Sequence, residues 1–175
     1  MNQYNFLLKR LPLTLCLVLA LTQLPVTARA EEDFSPDYTW YEGGTEESYT
    51  ITTARQLLAL ANLVNGTDEQ TKTDFAGKTI KLGADLDLSV YGSAWNGGKG
   101  WIPIGIKWAS GDTGQVFKGT FNGQYHTITG LYINDSTTSD NTGLFGVIAD
   151  GGTVKKPGPD GGKHHRVLVR WRRSW

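Results

Sequence analysis

"FAGKTIKLGADLDLS", residues 75–89, holds two short apolar runs separated by a glycine. Both run as strands. Further short strands are "WIPIG", "QVFKGTF", "HTITGLYI" and "GLFGVI", between Gly, Asn, Asp and Ser turns, with alternation in Thr127-Ile128-Thr129 and in Leu131-Tyr132-Ile133. One stretch breaks the pattern. "TTARQLLALANLVNG", residues 52–66, carries Leu57, Leu60, Ala61 and Val64 at helical spacing, with Thr52 or Thr53 to cap it and Gly66 to stop it. The β-starts Ile51, Ile80, Ile102, Ile128 and Val154 lie 29, 22, 26 and 26 residues apart. Such periods suit one turn of a stacked coil, and they equally suit the evenly spaced strands of a sandwich. Pattern alone gives all-β and leaves that choice open.

The 175-residue chain opens with Lys9 and Arg10, an apolar stretch over residues 11–24 and Ala28-Arg29-Ala30. That is the layout of a secretory signal peptide, with cleavage expected after Ala30, so a secreted or cell-surface location is expected. The apolar run is short for a membrane span. The lone Cys16 lies inside it, which leaves the mature chain without disulfides or thiolate metal sites. Residues 31–48 form an acidic leader with Pro36, Gly43 and Gly44. The zero formal charge hides two opposed parts: residues 31–154 carry 16 acidic and 7 basic side chains, net −9, whereas residues 155–175 carry 7 basic and 1 acidic, net +6.

Gly143-Leu144-Phe145-Gly146 resembles the core of the GLUG repeat, and "FAGKTIKLGADLDLS", "GWIPIG" and "FKGTFNGQYHTITGLYI" resemble the segment that precedes such repeats in bacterial secreted and surface proteins. The resemblance covers residues 49–154. It implies a right-handed parallel β-helix of few coils in an adhesin-like surface protein, with Ile80, Leu82, Leu86, Leu88, Ile104, Phe117, Phe121, Ile128, Leu131, Ile133, Leu144 and Phe145 as inward positions. The helix is then expected to cap the N-terminal end of the stack, and Gly119, Gly123 and Gly130 to serve tight corners. The repeat also occurs in immunoglobulin A-cleaving metalloendopeptidases, but the chain has no HExxH motif.

In that family one unit is followed by others, whereas here residues 155–175 read as a basic tail. A back-translation of residues 156–175, with synonymous codons chosen freely and the frame shifted, spells a further unit of the same repeat. The tail is therefore expected to be frameshift-derived and disordered, and the chain to be a truncated fragment. A nucleic-acid arm is the competing reading, disfavoured for an exported protein because frame-shifted GC-rich codons yield Arg, Pro and Trp without selection. His164 and His165 lack a third ligand and make a poor metal site.

No catalytic constellation is legible, and no cofactor or metal is expected. Asp85 and Asp87, two apart on a strand, are read as a polar corner; the alternative is the acid pair of a polysaccharide hydrolase or lyase. Candidate contacts to an extracellular glycan or protein ligand are Tyr91, Trp95 and Trp108, in a stretch rich in Gly, Asn and Ser, while Trp101 is read as packing inward. The expected function is an exported binding or scaffold module without enzymatic activity. Self-association is expected through the open edge of the last strand.

Overall fold

The computed structural model describes residues 33–106, 114–135 and 143–155. The segment read as a signal peptide (residues 1–30), Trp108, the His164–His165 pair and residues 156–175 lie outside them. One α-helix, α1 (Ala54–Asn65), joins six short strands: β1 (Ser48–Ile51), β2 (Thr79–Leu82), β3 (Leu86–Asp87), β4 (Thr120–Asn122), β5 (Ile128–Thr129) and β6 (Thr153–Lys155).

Local chemistry sets the helix. Thr53 is extended, and its hydroxyl accepts from the Gln56 N–H at 3.2 Å, meeting one of the donors that a helix start leaves open. The Gln56 side chain reaches back to accept from the Thr52 N–H at 2.7 Å. Gly66 closes the other end at φ +61°, donating to the Asn62 carbonyl at 2.8 Å. Between these caps Leu57, Leu58, Ala59, Leu60, Ala61, Leu63 and Val64 are all buried.

Four strands make a wholly parallel sheet in the order β1-β2-β4-β6, and β3 pairs with β5 in a second, two-stranded parallel sheet. Parallel neighbours need crossovers. Between β1 and β2 that crossover is α1; the second sheet supplies β3 after β2 and β5 after β4. The register stacks like upon like: Tyr49, Ile80, Phe121 and Val154 form one inward row. Aromatic rings continue the packing, with Phe117 and Phe145 centroids 5.2 Å apart, Phe121 and Phe145 5.1 Å, and Trp40 stacked on Phe75 at 6.2 Å.

The expected all-β right-handed parallel β-helix is overturned. The described residues form a mixed α/β domain in which α1 supplies part of the single hydrophobic core. No coil closes among them. Beyond the two sheets the strand contacts are isolated bridges, Ile104 with Phe145 and Phe117 with Ile148 in parallel and Gly100 with Ile133 antiparallel. The physical reason is that strands of two to four residues, interrupted by glycine turns, cannot carry a continuous third ladder, and the apolar helix fills the interior instead.

The spacing also misled. Strands of the larger sheet pair Tyr49, Ile80, Phe121 and Val154, which are 31, 41 and 33 residues apart, while Ile128 belongs to the other sheet beside Leu86 and Ile102 lies in no strand. Of the twelve expected inward positions, Ile80, Leu82, Leu86, Leu88, Ile104, Phe117, Phe121, Leu144 and Phe145 are buried, and Ile128, Leu131 and Ile133 are partly so. Of Gly119, Gly123 and Gly130, only Gly130 adopts a positive φ.

Candidate functional site

The outward positions of the four-stranded sheet form two rows. Ser48, Thr79, Thr120 and Thr153 stand in register across the strands, and Thr50, Lys81, Asn122 and Lys155 stand in a second register. Ser48, Thr50, Thr153 and Lys155 are exposed, and the central four are half-buried by their neighbours. The sheet therefore turns a polar face to solvent, free of carboxylates in both rows. The reason is the strand period of two combined with parallel pairing, which repeats each outward side chain beside its counterpart.

One end of this face is a turn. His126 N–H donates to the Gly123 carbonyl at 2.7 Å, with Gln124 at φ +47° and Tyr125 at φ +67° between them. Two consecutive left-handed residues define the tight turn that Asn-Gly usually fills, so Gln-Tyr there is strained. Tyr125 is 72 % exposed. Beneath the turn, Asp85 Oδ1 accepts from the Thr127 N–H at 2.8 Å and lies 3.2 Å from His126 Nδ1. The Thr127 N–H, with His126 beside it, holds the Asp85 carboxyl below the ordinary carboxylate range.

Asp87 Oδ1 accepts from the Ser89 N–H at 2.9 Å. Each member of the Asp85–Asp87 pair thus accepts from a different backbone N–H. Among the described residues no group of three His, Cys, Asp or Glu is arranged to hold a metal ion.

The aromatic candidates separate. Tyr91 is fully buried, with Trp95 edge-on to it at 4.9 Å and Trp101 at 5.8 Å, so its ring has no face left for a ligand. This corrects its expected surface role: the local 3₁₀ turn Ser89–Tyr91 aims it inward. Trp95 is half-buried against Tyr91, Trp101 is 2 % exposed, and Trp108 is outside the described residues. In the Gly143-Leu144-Phe145-Gly146 stretch, Leu144 and Phe145 are core residues, and the Leu144 carbonyl accepts from Ile104 N–H at 2.9 Å and Trp101 Nε1 at 3.4 Å.

Sequence reasoning missed Tyr125 and the Lys81–Lys155 row. A signal was present: Ser48-Tyr49-Thr50, Thr79-Ile80-Lys81, Thr120-Phe121-Asn122 and Thr153-Val154-Lys155 all read hydroxyl, apolar, polar.

Two relatives match part of the chain. A protein of Evansella cellulosilytica described as a Gly-rich membrane protein is 36% identical over 114 residues, 65% of this chain and 11% of that protein. A halomucin of Haloquadratum walsbyi is 33% identical over 118 residues, 66% of this chain and 1% of that protein. No family model matches the chain, and no solved structure matches it. Among the described residues no helix is long and apolar enough to cross a membrane. The chain spans about a tenth of the first relative's length and about a hundredth of the second's, so it is similar to one segment of much longer proteins, one named for the membrane and one a halomucin.

Proposed function

We propose that residues 49–154 are a binding or scaffold module of an exported surface protein, acting by display of a surface and not by catalysis. The observation that carries this reading is the polar outer face of the four-stranded sheet, repeated strand by strand over a core that supplies its rigidity. The engagement of Asp85 and Asp87 with backbone N–H groups supports it, since a hydrolytic pair needs carboxylates aimed at a common bond. Similarity to short segments of a membrane-named protein and a halomucin supports export, as does the signal-peptide layout of residues 1–30. The test is protease shaving of intact bacterial cells expressing the protein. Release of peptides from residues 49–154 with cytoplasmic markers intact is expected; full protection until lysis overturns the reading.

The same reading includes self-association through β6. Thr153 N–H and Lys155 C=O bond toward β4, so in the alternation of a parallel ladder the Val154 N–H and C=O face the outer edge, where no described strand pairs. Sedimentation of Val154→Pro should show loss of any concentration-dependent oligomer, because proline removes the outward donor, with a circular-dichroism melt to verify that losing the Val154 side chain from the inward row leaves the domain folded.

A further inference from the structure

Two lysines of the described chain stand apart from the other cations. Lys72 donates to the Gly114 carbonyl, Lys78 to the Thr45 and Glu46 carbonyls, Lys99 pairs with Asp135, Lys118 with Asp74, and Arg55 donates to Ser35. Lys81 and Lys155 have no such partner among the described residues. They share one outward row of the four-stranded sheet, with Asn122 between them on β4. At the usual spacing of neighbouring strands their stems lie about 10 Å apart along the stack.

Around them the face is hydroxyl and amide: Thr50 and Asn122 in the same row, Ser48, Thr79, Thr120 and Thr153 in the other. Residues 31–154 are strongly acidic, net −9, yet both rows lack a carboxylate. A local positive strip beside an acidic body selects an anionic partner and sets its orientation. Gly123 N–H donates to the Lys155 carbonyl at 3.5 Å, so the strained turn that exposes Tyr125 begins beside this strip. An aromatic ring held outward by a strained turn, next to amide and hydroxyl groups, suits a sugar ring with its apolar face and polar rim.

We propose that this face binds a linear anionic polysaccharide laid across the strands, with acidic groups spaced about one per disaccharide taken by Lys81 and Lys155 and a sugar ring stacked on Tyr125. The proposal rests on the binding-module reading and names its ligand class. Charge spacing argues against nucleic acid. A duplex carries one charge per about 1.7 Å, several for each lysine offered here.

The experiment uses the full chain and immobilised hyaluronan, which carries one carboxylate per disaccharide, with neutral cello-oligosaccharides and duplex DNA alongside. Saturable hyaluronan binding is expected, weakened about fivefold by Lys81→Gln and by Lys155→Gln, and weakened by Tyr125→Ala. The triple variant Arg170→Ser, Arg172→Ser, Arg173→Ser controls for the basic residues 155–175 and should bind as the parent does. Absence of hyaluronan binding, binding indifferent to the two lysines, binding lost only in the arginine variant, or equal affinity for DNA each overturns the proposal. Circular-dichroism melts verify that every variant is folded. A chain exposed on cells that fails to bind hyaluronan sinks this ligand and leaves the wider reading standing; a chain protected on intact cells that does bind it sinks the wider reading alone.

Discussion

The side-chain amide of Asn65 donates to the Pro103 carbonyl oxygen at 2.9 Å across the buried end of α1. Its Oδ1 accepts from the Gly105 N–H, also at 2.9 Å, and its own carbonyl accepts from the Gln115 side chain. Asn65 is the buried polar residue of the described core, and every one of these bonds joins the helix to the segments that precede β4. Replacing it with Leu keeps the approximate size but strands a buried N–H and a buried carbonyl. We expect Asn65→Leu to lower unfolding free energy by about 3 kcal/mol, read as a shift in urea midpoint with an unchanged slope.

Phe145 tests whether the Gly-Leu-Phe-Gly stretch is structural. Its ring meets Phe117 at 5.2 Å and Phe121 at 5.1 Å, joining the single-bridge side of the domain to the large sheet. Phe145→Ala should cost about 3–5 kcal/mol, and Phe145→Leu, which leaves a smaller void, distinctly less. Equal midpoints for the two variants in urea would contradict that packing role.

Acid and alkali should each destabilise the domain, for opposite reasons. Asp37 is held below its ordinary 3.8 by the Thr39 hydroxyl and N–H, Asp68 by the Tyr38 hydroxyl, and Asp85 by the Thr127 N–H. Burial pushes Asp74 up, but Lys118 and the Ala76 N–H outweigh it and leave it lowered. A lowered carboxylate contributes stability that is complete above its unfolded pKa and lost as pH falls through the folded one. The loss therefore begins near pH 3.8 and grows below it. Burial and its bond to Asp68 push Tyr38 from 10.0 up to about 12, so its contribution disappears as pH rises between those values. Urea midpoints measured from pH 2.5 to 12 should form a plateau with both shoulders; Tyr38→Phe should flatten the alkaline one.

Gly130 and Gly77 separate backbone strain from collision. Both have positive φ, +69° and +74°. A Cβ at Gly77 meets nothing within 4 Å, whereas one at Gly130 would lie 2.5 Å from Asp87 Oδ1 and 2.6 Å from the Ser89 N. Gly77→Ala should cost about 1–2 kcal/mol for the left-handed backbone alone. Gly130→Ala should cost clearly more, because the Asp87–Ser89 hydrogen bond must also shift. Matching thermal midpoints would show that the corner yields freely.

Much of the local structure is legible in the sequence. Thr53 and Gly66 bound α1 because capping satisfies the helix's own open N–H and C=O groups within a few residues. Strands at Thr79–Leu82 and Leu86–Asp87 follow from alternating apolar residues around a glycine. Tyr91 was misplaced because an aromatic in a Gly-Ser-Asn stretch carries no signal of which way the turn will aim it. Tyr125 was passed over because a left-handed φ at Gln-Tyr is not what those residues prefer.

Local sequence is enough to say where the chain turns, where its one described α-helix begins and ends, and which side chains are apolar enough to be inside. These depend on neighbours a few positions away. Which strands meet is a property of the folded chain. Tyr49, Ile80, Phe121 and Val154 come together across 31, 41 and 33 residues, an interval that no periodicity announced. That pairing, and the helix lying within the core, made the domain mixed α/β and set Lys81 and Lys155 in one row, because long-range register is fixed by the summed packing of the interior and not by any local preference.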